Sequence, residues 1–294
     1  MSNPAVPDNF RKVRGLAGPA LAETLDGGQC FRWNCKAGAV WFGVSGNFAA
    51  ELRATATELA AGMRAGDRSE LERHLALDVD WSALADQLPW RTDPHLARCI
   101  AVFPGLRILR QPFGETLLCF LCSATKQIGQ IKQMVDLLAT RFGRELAPGI
   151  HALPTWTELA AVDEAGLRAC KLGFRARHVH TIAKRLADAP GWLAETARAP
   201  YAEAKARLIS LPGVGEKIAD CVLLFGAARL EAFPVDVWVL RAMANRYGLE
   251  SWTPAQVAHF GRVHFGPLAG LAQQYLFAWE RRHGATTDAS PGKS

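Results

Sequence analysis

The segment from Leu211 to Lys217 constrains the fold of this chain most, because two glycines one residue apart stand between two stretches of helical pattern. Pro212 has a fixed φ and discourages the upstream helix from continuing, while Gly213 and Gly215 permit a tight turn whose backbone can approach a ligand closely. Apolar residues recur at helical spacing on both sides of the segment. The sequence therefore predicts a helix, a glycine hairpin and a second helix.

The start of the second helix is suited to bind an anion. The first amides of a helix lack intrahelical partners and lie at the positive end of the helix dipole, so they can hold a phosphate. A nucleotide-binding P-loop is excluded, because that motif has four residues between its glycines and Ser or Thr after the lysine, whereas Ile218 follows Lys217 here. An ordinary glycine turn with a solvated lysine stays open as the alternative.

A carboxylate downstream favours a chemical role for the lysine. Asp236 follows a proline in the run Pro234-Val235-Asp236 and falls near the start of a further helix, where it can cap free amides. Capping alone would explain this aspartate, and capping is compatible with a second role. A lysine and a carboxylate in one helix-loop-helix unit combine a possible nucleophile with a group that stabilises developing positive charge.

From about Leu16 to Trp279 the chain resembles the helix-hairpin-helix DNA glycosylases, specifically the bifunctional 8-oxoguanine DNA glycosylases. In that family a hairpin like this one carries the catalytic lysine, and a Pro-Val-Asp run carries the essential aspartate. Further blocks match the family in the same order: Gly28 to Trp33, Leu109 to Gln111, Leu172 to Arg177 and Gln273 to Phe277. The resemblance implies Lys217 and Asp236 as catalytic residues, and double-stranded DNA containing an oxidised purine as the partner.

The reaction implied by the resemblance is base excision followed by strand cleavage. The neutral amine of Lys217 attacks the C1′ carbon of the sugar, and Asp236 assists and stabilises the cationic sugar as the base leaves. The resulting imine permits β-elimination, so the implied enzyme is a DNA glycosylase with AP lyase activity. Because C1′ and the damaged base are not jointly accessible in a stacked duplex, the nucleotide must be flipped out.

Four matched positions are expected to form the pocket for the extruded base. Phe277 resembles the family's stacking face, and Cys221, one helical turn after Lys217, its opposite face. Gln273 resembles the residue that reads the Watson–Crick edge. Gly28 resembles the residue whose carbonyl accepts the N7 hydrogen, which 8-oxoguanine has and guanine lacks; a buried acceptor left without its donor costs about 1 to 3 kcal/mol. Without the resemblance, the apolar pattern around Phe277 would indicate core packing.

Further DNA contacts implied by the resemblance come from the hairpin and two other segments: Gly213, Val214, Gly215, Thr125, Lys126, Gln130, Phe174 and Arg175. The segment Cys122 to Gln127 departs from the asparagine run of animal and yeast members, and Gln130 replaces an arginine. Thr125 and Gln130 cannot supply bidentate arginine contacts to the orphaned cytosine, so a weaker preference for cytosine opposite the lesion is expected. Trp238 replaces a phosphate-binding histidine of the family, and an indole carries no charge.

The pattern along the chain predicts an α+β protein with two domains and a tail. Residues 1–93 carry β-type runs at Cys30 to Trp33, Val40 to Val44 and Phe48 to Ala54, then a polar helix from about Ser69 to Leu77, which indicates an antiparallel α+β domain. Residues 94–283 carry successive amphipathic helices, resembling the two-lobed helical catalytic domain of the family. Residues 284–294 are polar and small, and we expect them to be disordered.

Bulk properties agree with this interpretation without identifying a partner. A formal net charge of +6 suits a polyanion. Seven cysteines without framework spacing indicate a reducing compartment, and Cys119 and Cys122 are expected to pack within an apolar helical run from Thr116 to Ile131. No signal-peptide core or membrane span of about 18 to 20 apolar residues is recognisable. We expect an intracellular monomer without membrane association, in the cytoplasm or nucleoid of a bacterium or the nucleus of a eukaryote.

No cofactor is expected. The related endonuclease III and adenine glycosylases hold an iron–sulfur cluster on four C-terminal cysteines, whereas this sequence has no cysteine after Cys221. His178 and His180 form no recognisable ligand set with an acidic residue, so no catalytic metal is implied. The resemblance does allow a structural monovalent cation on the hairpin carbonyls.

Three functions remain open from the sequence. The first is a glycosylase and lyase that excises oxidised purines, chiefly 8-oxoguanine. The second is a glycosylase of the same fold for another damaged base, suggested by the altered segment around Thr125 and Gln130. The third is a non-catalytic DNA-structure binder that uses the hairpin to hold phosphate; Lys217 paired with Asp236 argues against it, since a binder needs neither group.

Overall fold

The computed structural model describes residues 11–13, 18–36, 40–54 and 59–284. An antiparallel five-stranded sheet with the order β1-β5-β4-β3-β2 dominates the N-terminal part. Its strands are β1 (Arg11–Val13), β2 (Trp33–Lys36), β3 (Val40–Ser45), β4 (Phe48–Ala54) and β5 (Leu59–Ala65), and helix α1 (Gly18–Asp26) precedes β2. The predicted strands that begin at Val40 and Phe48 are confirmed, joined by a two-residue turn at Gly46, whose φ is 56°.

The predicted strand Cys30 to Trp33 is wrong, because β2 begins only at Trp33. Gln29 explains the difference. Its side-chain Nε2 donates to the Arg107 carbonyl at 2.8 Å and its Oε1 accepts from the Leu109 amide at 3.0 Å, while its own carbonyl accepts from Gln111 Nε2 at 2.7 Å. These bonds take the place of a strand ladder and hold residues 28–32 as a bent segment.

Helices dominate the structure after β5. They are α2 (Arg68–His74), α3 (Trp81–Asp86), α4 (Pro94–Val102), α5 (Phe113–Ser123), α6 (Ile128–Phe142), α7 (Trp156–Ala160), α8 (Glu164–Ala169), α9 (Arg175–Asp188), α10 (Trp192–Arg198), α11 (Tyr201–Ile209), α12 (Glu216–Ala227), α13 (Val237–Tyr247), α14 (Pro254–Phe265) and α15 (Ala269–His283). A small two-stranded sheet, β6 (Glu145–Ala147) with β7 (Ile150–His151), follows α6, and a 3₁₀ turn, Gly266–Leu268, precedes α15. The predicted α+β class is confirmed, and the polar helix predicted near Ser69 is α2.

The predicted continuous helix from Thr116 to Ile131 is wrong, because the chain breaks between α5 and α6. Thr125 has a φ of 54°, a conformation that costs a β-branched residue of the order of 1 to 3 kcal/mol. Gln130 accepts the Gln127 amide at 3.2 Å in a capping box that starts α6. The polar residues between the helices cannot continue the apolar face, so a new helix begins. Cys119 and Cys122 are buried, as predicted.

The boundary predicted after residue 93 coincides with the start of α4. Asp93 caps this helix, its Oδ1 accepting from the His95 amide at 3.0 Å and the Leu96 amide at 2.9 Å. The division into two domains at this point stays a prediction. The predicted disordered tail lies outside the described residues except for Gly284. Where the structure describes the chain, no helix combines the length and apolar character required to span a bilayer.

A buried tryptophan and histidine join the sheet to α2. The Trp33 indole is fully buried and donates to His74 Nε2 at 3.1 Å, with the two rings stacked. Gly43 is the cross-strand partner of Trp33, and a β-carbon there would overlap the indole. Burial lowers the pKa of His74 from 6.5 to about 4, because a charged imidazole would lose its hydration. His74 is therefore neutral in the folded protein at pH 7.

This environment predicts a loss of stability at acid pH that His74→Gln should reduce. As pH falls, the unfolded state protonates His74 near pH 6.5 and the folded state only near 4, so folded stability decreases between these values. Glutamine keeps an acceptor for the Trp33 indole but does not titrate. Between pH 7 and pH 5 the wild type should lose about 2 kcal/mol more unfolding free energy than the variant. Urea unfolding at both values measures this, and equal losses would contradict it.

Candidate active site

One cleft, about 850 Å³ in volume, collects residues from widely separated parts of the chain. The loop after α1, the loop between α5 and α6, helix α12, the start of α13 and helix α15 all contribute to its walls. The sequence-predicted residues that line it are Gly28, Thr125, Lys126, Lys217, Cys221, Asp236, Gln273 and Phe277. The predicted catalytic pair and the predicted base pocket thus share one cavity.

The glycine hairpin between α11 and α12 forms as predicted, and its two glycines have different structural reasons. Gly213 has a φ of 81°, and a β-carbon there would overlap the imidazole of His178 on α9. Gly215 caps α12 with a φ of −96°, and a β-carbon there would have no described atom within 4 Å. Val214 between them is buried. The turn needs Gly213 for its own packing, whereas Gly215 leaves an open surface beside the first amides of α12.

A buried carboxylate ties α11 to α12 around Lys217. Asp220, 1% exposed, accepts from the Tyr201 hydroxyl at 2.6 Å and from Lys205 Nζ at 3.0 Å. Lys205 also forms an ion pair with Glu216 at 2.6 Å. Because Glu216 directly precedes Lys217 and Asp220 follows it by less than one turn, Lys205 holds α12 on both sides of the predicted nucleophile.

Lys217 is the second residue of α12 and lies over an aromatic floor. Its Nζ is 5.1 Å from the centroid of the Phe120 ring. Phe120 stacks on Phe225 at 5.6 Å between centroids and meets Phe31 edge-on at 5.4 Å. These three rings also line the cleft. Sequence analysis missed them, since helical periodicity does not distinguish a core side chain from one that forms the floor of a cavity.

Asp236 caps α13 and still faces the cleft. Its Oδ1 accepts from the Trp238 amide at 3.0 Å and the Val239 amide at 2.9 Å, while Oδ2 accepts no hydrogen bond from another described residue. Burial raises the pKa of Asp236, and the two amides and the positive charge of Lys217 oppose that rise. The predicted cap therefore exists, and one carboxylate oxygen is left for another partner.

Cys221 presents a neutral thiol to the cleft. It lies one turn after Lys217 on α12 and is 3% exposed. Burial raises the pKa of Cys221 to about 12, against the lowering influence of Lys217. A thiol in this state is apolar and weakly nucleophilic, which suits packing against a ring more than covalent chemistry.

The predicted base-reading residues lie together on the other side of the cleft. Gly28 has a φ of 88°, and a β-carbon there would be 3.8 Å from Phe277 Cζ and 3.7 Å from Ile128 Cδ1. Gln273 and Phe277 share one face of α15; Gln273 is buried and its Oε1 accepts from Gln274 Nε2 at 2.7 Å. A β-carbon on Gly28 would therefore be in van der Waals contact with the predicted stacking ring, so Gly28 and Phe277 are neighbours in the cleft.

Arg175, one of the predicted DNA contacts, does not line the cleft. It is 3% exposed, and its Nη2 donates to the Ala124 carbonyl and to Thr125 Oγ1. Its guanidinium also lies 4.4 Å from the ring centroid of Phe174, which is 58% exposed. In this arrangement Arg175 supports the strained turn at Thr125 and the exposed Phe174 ring, and its contact with DNA stays a prediction.

Gln130 lies outside the cleft lining, whereas Trp238 lies in it beside an arginine that sequence analysis did not identify. Gln130 is exposed outside the cleft lining and serves the cap of α6, so its predicted DNA contact also stays a prediction. Trp238 lines the cleft, and the exposed Arg241 lies 5.2 Å from its ring centroid. Arg241 was missed by sequence analysis; its position one turn after Trp238 is the signal that could have indicated the stack.

Potential metal ligands are scattered over the described part of the chain. Among the residues that the structure describes, no three His, Cys, Asp or Glu side chains are grouped so as to hold a metal ion. The expected lack of an iron–sulfur cluster and the possible monovalent cation at the hairpin remain predictions.

Comparisons with known proteins agree with the geometry of the cleft. Residues 17–117 match the N-terminal domain of 8-oxoguanine DNA glycosylase, and residues 118–264 match the HhH-GPD superfamily of base excision DNA repair proteins. The N-glycosylase/DNA lyase OGG1 of Arabidopsis thaliana is 31% identical over 88% of this chain and 77% of its own length. The N-glycosylase/DNA lyase of Saccharomyces cerevisiae is 28% identical over 79% of this chain and 69% of its own length.

Solved structures include a close structural neighbour from a bacterium. The 8-oxoguanine glycosylase/lyase of Clostridium acetobutylicum, in complex with double-stranded DNA containing cytosine opposite 8-oxoguanine, superposes with a TM-score of 0.85. The two sequences are 27% identical, and the superposition covers 94% of this chain and 99% of the Clostridium chain. The similarity therefore extends over both the sheet and the helices.

Substitution by alanine should affect the two hairpin glycines differently, lowering mainly folding stability at Gly213 and mainly DNA binding at Gly215. Gly213→Ala should lower the unfolding free energy by about 1 to 3 kcal/mol, because the methyl group overlaps His178 and φ is positive. Gly215→Ala should cost less than about 1 kcal/mol but weaken binding to a duplex with an abasic-site analogue, because its methyl group lies on the open surface. Denaturant unfolding and fluorescence anisotropy measure the two effects. Equal stability of the variants would contradict this assignment.

Proposed function

The chain belongs to the 8-oxoguanine DNA glycosylase family of helix-hairpin-helix base excision repair proteins, and on that premise we propose that it excises 8-oxoguanine from double-stranded DNA and cleaves the resulting abasic strand. One observation carries the proposal. Lys217 and Asp236 line the same cleft as Gly28, Cys221 and Phe277, so a nucleophile and a free carboxylate oxygen meet a slot suited to a flat base.

Lys217 is the nucleophile in the proposed mechanism. Its ammonium group first gives a proton to solvent. The neutral amine then attacks C1′, the bond from C1′ to the base breaks, and the base departs with the bonding electrons and takes up a proton. Asp236, held by the α13 amides, stabilises the positive charge that develops on the sugar. Loss of a proton and ring opening give an imine on Lys217, and β-elimination then breaks the strand on the 3′ side. Water releases the enzyme from the imine.

Recognition of the base in this proposal depends on the opposing walls of the cleft. The ring of Phe277 stacks on one face of the extruded base and the neutral thiol of Cys221 packs on the other. The Gly28 carbonyl accepts the N7 hydrogen of 8-oxoguanine, and Gln273 contacts the Watson–Crick edge. Guanine lacks that hydrogen, so the buried carbonyl would lose a partner at a cost of about 1 to 3 kcal/mol.

In this proposal the base opposite the lesion is recognised less strictly than in family members that contact it with arginine side chains. Thr125 and Gln130 have short or uncharged side chains, and Arg175 is already bound within the protein. These observations support a relaxed preference for cytosine, as the sequence suggested. They concern the partner strand and not the base pocket, so they do not favour a different lesion. We also propose that the protein acts as an intracellular monomer without a cofactor.

Trapping of the imine with borohydride tests the nucleophile. On 8-oxoguanine duplexes the wild type should form a covalent adduct, and Lys217→Gln should form none because an amide cannot make an imine. Lys184→Gln is the matched control, since Lys184 is exposed on α9 outside the cleft lining and its loss should leave the adduct. Duplexes with each of the four opposite bases should all yield adduct. Undiminished trapping in Lys217→Gln would exclude the mechanism.

Asp236→Asn separates the chemical role from the capping role. Asparagine can still accept from the α13 amides, so the unfolding midpoint and DNA affinity should persist. Base release should slow by at least about 100-fold, because a neutral amide does not stabilise a cationic sugar. Single-turnover excision and anisotropy measure these quantities. If the excision rate were unchanged, Asp236 would be a helix cap alone.

A further inference from the structure

The last turn of α1 carries two carboxylates, and each is paired with a cation from a different helix. Glu23 accepts from Arg281 Nη2 on α15, with both carboxylate oxygens at 3.0 Å. Asp26 pairs with Lys132 Nζ on α6 at 2.7 Å. The loop that begins immediately after Asp26 carries Gly28. These pairs therefore lie directly beside the backbone that the proposed function assigns to base reading.

Arg281 connects this turn to the helix that bears the stacking ring. It follows Phe277 by one turn on α15 and lines the cleft. Besides its bonds to Glu23, its Nη1 donates to the backbone carbonyl of Asp26 at 3.0 Å. One rigid guanidinium thus holds both a side chain and the C-terminal backbone of α1. The distance between the loop start and Phe277 is set through this group.

Lys132 holds the same loop from the opposite side. In addition to Asp26, its Nζ donates to the Trp33 carbonyl at 2.6 Å, so it contacts the chain before and after the loop. Gly27 closes the turn tightly, because a β-carbon there would overlap the Glu23 carbonyl. The loop that carries Gly28 is therefore held at both ends by an ionic clamp, which we define as Glu23, Asp26, Lys132 and Arg281.

We propose that Arg281 and Lys132 are positioning residues that set the Gly28 carbonyl against Phe277 and so determine how well the N7 hydrogen of 8-oxoguanine is read. The inference rests on the proposed function. In this role both side chains act through the loop, because their hydrogen bonds go to Glu23, to the Asp26 carbonyl and to the Trp33 carbonyl. A hydrogen bond weakens steeply when its angle and distance change, so release of the clamp lowers base discrimination more than it lowers chemistry at C1′.

The test compares two substrates that share the chemistry but differ in the need for base reading. An 8-oxoguanine duplex requires the pocket, whereas a duplex with a preformed abasic site has no base to read. Arg281→Met should lower excision of 8-oxoguanine about tenfold relative to cleavage at the abasic site, and Arg281→Lys should recover part of that loss. Arg282→Met is the matched control: Arg282 is exposed on the same helix near the Phe103 ring and should leave both rates unchanged.

Each outcome has a separate meaning. Wild type that cleaves abasic sites but does not excise 8-oxoguanine would overturn the proposed function and this inference with it. Wild-type excision with an unchanged ratio in Arg281→Met, or a parallel loss of both activities, would overturn the inference alone. If Arg281→Met does not fold, Glu23→Gln tests the same contact with an isosteric amide, and the ratio should fall about threefold. An unchanged ratio in Glu23→Gln would equally overturn the inference.

Discussion

The buried contact between Asp220 and Lys205 is the interaction on which the geometry of the site most depends. It joins the two helices that flank the glycine hairpin, and Lys205 also pairs with Glu216, so the first turn of α12 cannot rotate freely. Removing one partner of a buried ion pair leaves an uncompensated charge, which is strongly destabilising. Since Lys217 lies between Glu216 and Asp220, the same contact that joins the helices also directs the amine.

The catalytic groups and the groups that recognise the base lie on different walls of the cleft. Helices α12 and α13 supply Lys217 and Asp236, while α15 and the loop after α1 supply Phe277 and the Gly28 backbone. The two walls are joined by packed elements and not by direct bonds between these groups. Small changes at one wall can therefore alter selectivity without altering the reaction, which is the physical basis for assigning a positioning role to the clamp around α1.

Local patterns predicted most of the fold and failed at two places, one because of hydrogen bonds over a long sequence distance and one because a local helix break was not recognised. The hairpin strands at Val40 and Phe48, the helix-hairpin-helix unit and the cap at Asp236 follow from turn residues and periodicity. The strand at Cys30 was wrong because Gln29 bonds to Arg107 and Leu109, almost eighty residues away. The continuous helix from Thr116 was wrong because the polar residues around Thr125 end one helix and a capping box starts the next.

The sequence by itself determined the kinds of groups at the site and their places on helices, because turns, caps and helix faces depend on neighbours within a few residues. Gly213, Lys217 and Asp236 were identifiable on that basis. Only the tertiary structure decided that Phe120 forms the floor beneath Lys217, that Arg175 is bound within the protein, and that Arg281 reaches α1. Those outcomes depend on which helices pack together, and packing joins residues that no local spacing relates.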